Sequence, residues 1–108
     1  MAQSTQQAGQ TELTKVRDLI VTGLANVDAR IYLFGSWARG EQKRTSDIDI
    51  AIEHQGNVTP EIFMKIRELL EESSIPYRVD VVDLVKAGSM LAQKVKEEGI
   101  LWQDYSKG

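Results

Sequence analysis

The chain has 108 residues, of which 42% are hydrophobic and 27% charged, a composition typical of one small globular domain. Its formal net charge of −3 argues against general nucleic-acid binding, which needs a basic surface. The absence of cysteine and the single histidine exclude disulfides, a thiolate nucleophile, cysteine-ligated zinc and a multi-histidine metal site. Because no apolar run approaches the length of a membrane span and no signal-peptide pattern is found, we expect a cytoplasmic protein.

A polar leader and a helix are predicted before the first strand. Residues 1–10 are rich in Gln and Ser and lack periodicity, so we expect a disordered leader followed by a single domain over residues 11–108. A helix is predicted from Thr11, its expected N-cap, because apolar side chains then recur at three- and four-residue steps. These side chains are Leu13, Val16, Leu19, Ile20, Leu24 and Val27.

An apolar run over residues 30–34 predicts the first strand, which stops at Gly35 and Ser36. Gly35 has no Cβ, so backbone N–H groups can approach a ligand closely there. Ser36 is expected to cap a short helix that ends near Gly40. A helix N-terminus is a favourable phosphate site, although an ordinary strand–turn–helix corner explains these two residues equally well when they are considered alone.

The segment over residues 47–52 alternates between acidic and apolar side chains. Alternation in a strand places Asp47 and Asp49 on one face, with isoleucines on the other. Their Cα atoms would lie about 7 Å apart, which lets both carboxylates reach one cation. A half-exposed edge strand with two solvated acids is the alternative interpretation of this short pattern.

The remaining elements complete a mixed order of helices and strands. A second helix begins at Thr59-Pro60 and is closed by residues 73–76. Residues 77–84 are predicted to form the third strand and residues 85–98 a last helix, followed by a short apolar run. We therefore predict an α/β (α+β) fold in which a small mixed β-sheet is flanked by helices.

Asp80 is the third acidic residue singled out by its surroundings. It lies among valines in the third predicted strand, where an unpaired carboxylate would be costly to desolvate. A metal shared with Asp47 and Asp49 would supply the partner, and an ion pair with Arg78 or Arg39 is the alternative.

Several other polar and aromatic residues are left without an assigned role. Asp83 has the opposite parity to Asp80 and suits an N-cap for the following segment. His54 either contacts substrate or, as is commoner for a lone loop histidine, lies at the surface. Trp102 and Tyr105 either cover the edge of the core or contact a partner.

The string GSWARG…SDIDIAI, with ten residues between Ser36 and Asp47, resembles the signature of the DNA polymerase beta nucleotidyltransferase superfamily. It is similar in particular to the minimal nucleotidyltransferases (MNT domains), which are commonly partnered with HEPN-domain proteins in toxin–antitoxin pairs. The resemblance covers most of the chain, and its specificity lies in residues 34–52. It implies a polymerase-beta-like nucleotidyltransferase core.

The resemblance also implies a reaction and its site. Gly35 and Ser36 would hold the β- and γ-phosphates of ATP, and Arg39 would contact the triphosphate or the nearby carboxylates. Two Mg²⁺ ions would promote in-line attack of an acceptor hydroxyl on the α-phosphorus, so that AMP is transferred and pyrophosphate leaves. The implied catalytic and metal-binding residues are Asp47, Asp49 and Asp80.

The acceptor is expected to be bound by a second protein or to be that protein, because the chain has no room for the substrate-binding domain that larger relatives carry. The leading hypothesis is an antitoxin-type adenylyltransferase that modifies a HEPN partner and forms a hetero-oligomer with it. Two alternatives stay open: a non-catalytic antitoxin or scaffold module that acts by complex formation, and a small-molecule nucleotidyltransferase subunit.

Overall fold

The computed structural model describes residues 3–104, and the surroundings of the side chains for residues 10–102. None of the helices in this part of the chain is long and apolar enough to cross a membrane. The predicted α/β order is confirmed, with one strand added at the end. The elements are α1 (Gln3–Leu24), β1 (Arg30–Phe34), α2 (Ser36–Arg39), β2 (Ile48–Glu53), α3 (Pro60–Glu71), β3 (Val79–Asp83), α4 (Ser89–Glu98) and β4 (Ile100–Asp104).

The four strands form one mixed sheet in the order β3-β2-β1-β4. Strand β1 runs antiparallel to both β2 and β4, whereas β2 and β3 are parallel and are joined by a crossover through α3. The carboxyl end of β1 and the amino ends of β2 and β3 therefore meet at the same end of the sheet. This topology decides which polar side chains lie together.

The main core lies between one face of the sheet and helices α1 and α3. The predicted inward face of β2 is confirmed, since Ile48, Ile50 and Ile52 are fully buried. They pack in one cluster with Ile20 of α1 and Ile66 of α3. Each of these side chains contributes about 2–3 kcal/mol through burial, which makes this layer the principal source of stability.

The opposite face of the sheet is covered in part by α4. Val95 of this helix is fully buried against Tyr32, Ala51 and Leu84. On the acidic face of β2, Ala51 is fully buried, whereas Asp49 before it and Glu53 after it are partly exposed. The alternative of a half-exposed edge strand is wrong for β2, which lies inside the sheet between β1 and β3.

The start of α1 differs from the sequence-based prediction. The helix begins at Gln3 rather than Thr11, so residues 3–10 of the predicted leader are helical. Four of these eight residues are glutamine, a good helix former, so the helix extends here without an apolar stripe. Residues 1 and 2 lie outside the described residues, and the division into a leader and a domain stays a prediction.

The helix after β1 is capped differently from the prediction. Gly35, not Ser36, is the N-cap of α2, and no side-chain capping bond is formed. Gly35 has a φ of 75° and a ψ of −157°, so the chain has already turned into the helix at Ser36. The predicted end at Gly40 is confirmed, as is Thr59 at the N-cap of α3, whose hydroxyl accepts from the Ile62 N–H at 3.3 Å.

The chain after α4 forms an edge strand that the pattern did not reveal. Ile100 and Leu101 pair with β1, although each is 47% exposed. Two consecutive half-exposed apolar residues show no alternation between apolar and polar side chains. The sequence pattern therefore did not predict a strand here. Trp102 packs against the main core, and Tyr105 lies outside the described residues.

Two other elements in the second half of the chain are shorter than predicted. Strand β3 covers Val79–Asp83 rather than residues 77–84, and α4 begins at Ser89 rather than at residue 85. A turn in which the Lys86 N–H donates to the Asp83 carbonyl at 3.1 Å occupies the intervening segment. Glycine at position 88 has a φ of 91° and ends that segment, so the helix starts only after it.

Candidate functional site

Two carboxylates lie side by side at the end of the sheet where β1, β2 and β3 meet. Asp49 and Asp80 are direct partners in the parallel pairing of β2 and β3, so both side chains are on the same face. On the other side of β2, Asp49 is the register partner of Phe34, the last residue of β1. Asp47 immediately precedes β2. The two strands thus bring together the acids that the sequence singled out.

Electrostatic coupling among these acids is visible at Asp49. Partial burial raises the pKa of the Asp49 carboxyl, and the negative charges of Asp80 and then Asp47 raise it further. The positive charge of Arg39 acts in the opposite direction. Asp80, Asp47 and Arg39 therefore all lie close enough to Asp49 for their charges to act on it.

The carboxylates of Asp47, Asp49 and Asp80 are not arranged as a complete set of metal ligands. Within residues 10–102, no three His, Cys, Asp or Glu side chains are already arranged as a metal site. Asp80 instead forms an ion pair with Arg78, with 3.4 Å between Oδ1 and Nε. The two side chains are 43% and 77% exposed, and an exposed pair of this kind contributes at most about 1 kcal/mol, so a divalent cation can displace it.

Gly35 fits directly against one of the carboxylates. A Cβ at this position would overlap the Oδ2 atom of Asp49, and the positive φ is itself unfavourable for any other residue. The N–H groups of Ser36 and Trp37 are in the first turn of α2, where they have no acceptor within the helix. The corner therefore presents backbone donors next to a carboxylate.

Trp37, to which the sequence analysis assigned no role, holds the loop that leads into Asp47. Its ring is buried and packs edge-on against Tyr77, with 4.9 Å between ring centroids. Its indole Nε1–H donates to the carbonyl of Ser46 at 3.3 Å, which fixes the loop that leads into Asp47. A tryptophan directly after the glycine-serine corner was the available signal, because a buried indole N–H needs an acceptor.

Arg39 lies at the end of α2, exposed on the same side as the corner. Its Nε donates to the Glu41 carboxylate at 2.9 Å, and this hydrogen bond is the main cause of its raised pKa. A small cavity of about 130 Å³ lies beside it and is lined also by Phe34 and Gly35. Arg39 therefore lies beside the corner, and its contact with the triphosphate or the carboxylates stays a prediction.

A larger cavity of about 720 Å³ runs along β3 and includes both Asp49 and Asp80 in its lining. Arg67, which sequence reasoning did not single out, also lines it and donates from Nη2 to the Val81 carbonyl at 2.9 Å. The guanidinium thereby covers part of the outer edge of β3. The cavity places open space directly next to the acidic side chains.

His54 lies away from these acids and is structural. Its side chain is only 4% exposed, so the expectation of a surface histidine is wrong. Nδ1 accepts the Gly56 N–H at 3.0 Å, so the ring proton is on Nε2, which donates to Asp83 at 2.8 Å. Asp83 also accepts the Val85 N–H at 3.0 Å in a turn, so it is not a helix N-cap.

The fold and the acidic site define the class of protein. Residues 21–107 match the family model described as Polymerase beta, Nucleotidyltransferase, and the chain belongs to this family. The resemblance inferred from the glycine-serine corner and the acidic strand is thereby confirmed.

Named relatives point to one branch of the family. Over 73 residues the chain is 40% identical to the Protein adenylyltransferase MntA of Shewanella oneidensis, a match that covers 64% of this chain and 49% of the relative. The chain therefore spans about half the length of that protein.

Two solved structures share the fold. One is described as a toxin–antitoxin with AMP-PNP; it is 35% identical, has a TM-score of 0.63, and the match covers 79% of this chain and 71% of that chain. The other contains the tri-AMPylated Shewanella oneidensis HEPN toxin in complex with MNT antitoxin. It is 27% identical, has a TM-score of 0.63, and the match covers 86% of this chain and 71% of that chain.

Proposed function

We propose that the chain is a Mg²⁺-dependent nucleotidyltransferase that transfers AMP from ATP to a hydroxyl group of a HEPN-domain protein, with which it forms a hetero-oligomer in the cytoplasm. One observation carries the proposal. Asp49 and Asp80 are register partners at the end of the sheet, and Asp49 lies against the Gly35 corner, where only a residue without a Cβ fits.

The donor set fits a magnesium site. Burial and two neighbouring negative charges raise the pKa of Asp49, so the free carboxylates repel one another and a hard cation would relieve that repulsion. Two Mg²⁺ ions, when bound, would activate the acceptor hydroxyl and offset the charge of the triphosphate. The residues proposed to hold them are Asp47, Asp49 and Asp80.

The chain's own groups would orient the nucleotide. Gly35 and Ser36 are proposed to hold the β- and γ-phosphates through the backbone N–H groups at the start of α2, and Arg39 would offset the negative charge. The cavity along β3 leaves room for the acceptor hydroxyl beside Asp49 and Asp80. Positioning and electrostatics would supply most of the rate, as expected for transfer to phosphorus.

The choice of a protein acceptor is supported by the relatives. The Shewanella protein is named a protein adenylyltransferase, and a solved neighbour pairs an MNT antitoxin with a HEPN toxin that carries AMP. The described part of the chain offers the acidic side chains at one end of the sheet and, next to them, the cavity along β3. A partner that brings its own hydroxyl to that cavity would complete the site.

The test is co-expression with a HEPN-domain protein, followed by intact-mass measurement of the partner. We expect AMP adducts with the wild-type chain and none with Asp49→Asn or Asp80→Asn. Asp18→Asn is the matched control, because Asp18 is an exposed acid on α1 that pairs with Arg17. Absence of adducts with the wild-type chain under ATP and Mg²⁺ would contradict the proposal.

The same variants distinguish catalysis from simple complex formation. If the Asp49→Asn chain still neutralised a toxic HEPN partner, contact alone would be sufficient for neutralisation and the chain would be a scaffold. Labelled ATP offered with hydroxyl compounds in place of the partner would reveal transfer to a small molecule. We expect label in the partner and not in those compounds.

A further inference from the structure

One side of α4 faces the Gly35 corner. The rotation of this helix is fixed by Val95, which is fully buried on the sheet. Leu91, Lys94 and Glu98 are separated by three and four residues, so they share one helical face. That face lines the small cavity of about 130 Å³ next to Gly35.

The end of α4 is held close to β1. The Gly99 N–H donates to the Val95 carbonyl at 2.7 Å. A Cβ on Gly99 would lie 3.1 Å from the Leu33 carbonyl oxygen, so the backbone approaches β1 more closely than most residues would allow. The positions of Lys94 and Glu98 relative to the corner are therefore set by the fold rather than by side-chain reach alone.

The cavity has room for a phosphate group and carries two cationic side chains. Its volume is several times the volume that one ordered water molecule needs. Arg39 already has Glu41 as a partner. Lys94 is exposed, and within the described part of the chain no hydrogen bond or ion pair of its ammonium group is observed. Glu98 is the acidic member of the lining, and its charge also acts on Arg39.

We infer that Lys94 is a phosphate-binding residue, whose ammonium group contacts the β- or γ-phosphate of a nucleoside triphosphate held at the Gly35 corner. The inference rests on the proposed function and extends it to a helix outside the glycine-serine corner and the acidic strands. Because a nucleoside monophosphate has neither a β- nor a γ-phosphate, Lys94 would favour triphosphates over monophosphates. Glu98 would weaken the same interaction by repelling phosphate.

The test measures binding rather than turnover. Calorimetric titrations of the full chain with AMP-PNP and with AMP, both in Mg²⁺, give the ratio of the two affinities. We expect Lys94→Met to weaken AMP-PNP binding about tenfold, as for the loss of one charged hydrogen bond, while AMP binding is unchanged. Lys94→Arg should restore most of the affinity for AMP-PNP. Lys65→Met, at an exposed position of α3, is the control and should change neither affinity.

A second variant is expected to change the AMP-PNP affinity in the opposite direction. Glu98→Gln should tighten AMP-PNP binding by about threefold to tenfold and leave AMP unaffected, because it removes an acid from the cavity. If wild type binds AMP-PNP and Lys94→Met keeps the same ratio of affinities, the assignment of Lys94 is overturned while the proposed function stands. If wild type binds no AMP-PNP, both fail. Thermal unfolding of each variant would show that the exposed substitutions leave the fold intact.

Discussion

The carboxylate of Asp49 lies against Gly35, at the place where the Cβ of any other residue at position 35 would be. Gly35 also has a φ of 75° and a ψ of −157°, a conformation nearly restricted to glycine. The corner and the acidic strand therefore depend on each other. A change at either residue alters both the backbone donors and the orientation of the carboxylate.

Replacing Gly35 by alanine is predicted to remove activity and to destabilise the chain. The added Cβ must displace Asp49, and the strained backbone alone costs about 1–3 kcal/mol. Gly40→Ala is the matched control. Gly40 has a φ of 72°, but a Cβ there would meet no described atom within 4 Å.

Chemical denaturation and nucleotide titration of both variants would check this prediction. Gly40→Ala should lose about 1 kcal/mol of stability and keep its affinity for AMP-PNP. Gly35→Ala should lose AMP-PNP binding as well as stability. Equal losses of binding in the two variants would contradict the proposed contact between the corner and the nucleotide.

Several elements of this site were predictable from the sequence, because they depend on local patterns. Alternation identified the acidic strand, and the glycine at the end of an apolar run identified the corner. The valines around Asp80 indicated that its carboxylate needs a partner, either a metal shared with Asp47 and Asp49 or an arginine, but only the strand register shows that Asp49 and Asp80 share a face. The assignment of these acids as metal ligands stays a prediction.

Other features depend on contacts between distant segments, and no local pattern contains them. Arg67 reaches the edge of β3 from α3, and the buried pair of His54 and Asp83 joins residues 29 positions apart. The edge strand at Ile100 and Leu101 is formed by pairing with β1, not by its own periodicity. Long-range pairing of this kind had to come from the structure.

Removing Arg78 is predicted to strengthen Mg²⁺ binding. Arg78→Ala frees Asp80 from its ion pair and removes a positive charge from the cavity along β3. Because an exposed pair contributes at most about 1 kcal/mol, we expect an increase in affinity of up to about fivefold. Mg²⁺ titration of the AMP-PNP complex would measure it. Arg17→Ala, which breaks the distant pair with Asp18, should have no effect, and a weaker Mg²⁺ affinity in Arg78→Ala would contradict the prediction.

Trp37 is predicted to act through the loop that precedes Asp47. Phenylalanine at position 37 would keep the buried ring but lose the N–H donated to the Ser46 carbonyl, at a cost of about 1 kcal/mol. We expect a higher Mg²⁺ requirement for transfer, because Asp47 would be held less firmly. Trp102→Phe is the control, since Trp102 packs against the core from β4, the edge strand that is separated from β2 by β1. An unchanged Mg²⁺ requirement in Trp37→Phe would rule out this positioning role.

Acid sensitivity is predicted to depend on Glu53, which ties β2 to α4. Partial burial works to raise the pKa of Glu53. The hydrogen bond and charge of Lys96, at 2.5 Å, and the hydrogen bonds from Arg30, at 3.4 Å, and Tyr32 hold the pKa below its ordinary value of 4.5. A carboxylate with a depressed pKa in the folded state stabilises the protein above the unfolded-state pKa. That contribution is lost as the pH falls through the lower, folded-state value.

The stabilisation from Glu53 should therefore be complete at neutral pH and decline below about pH 4.5. Glu53→Gln should be less stable than wild type at pH 7, and the difference should shrink at pH 3. Urea unfolding at the two pH values measures it. Glu61→Gln, at an exposed position in the first turn of α3, is the control. A difference between Glu53→Gln and wild type that is as large at pH 3 as at pH 7 would contradict the electrostatic explanation.

His54 is predicted to contribute to stability and not to transfer. His54→Ala would leave the Asp83 carboxylate, only 14% exposed, without its ring donor and would free the Gly56 N–H, at a cost of about 1–3 kcal/mol. His54→Gln keeps a donor and should recover part of that loss. Because the ring lies apart from Asp49 and Asp80, the initial rate of AMP transfer per folded molecule should be unchanged. A large fall in that rate, with stability retained, would place His54 in the reaction and would overturn its assignment as a structural residue.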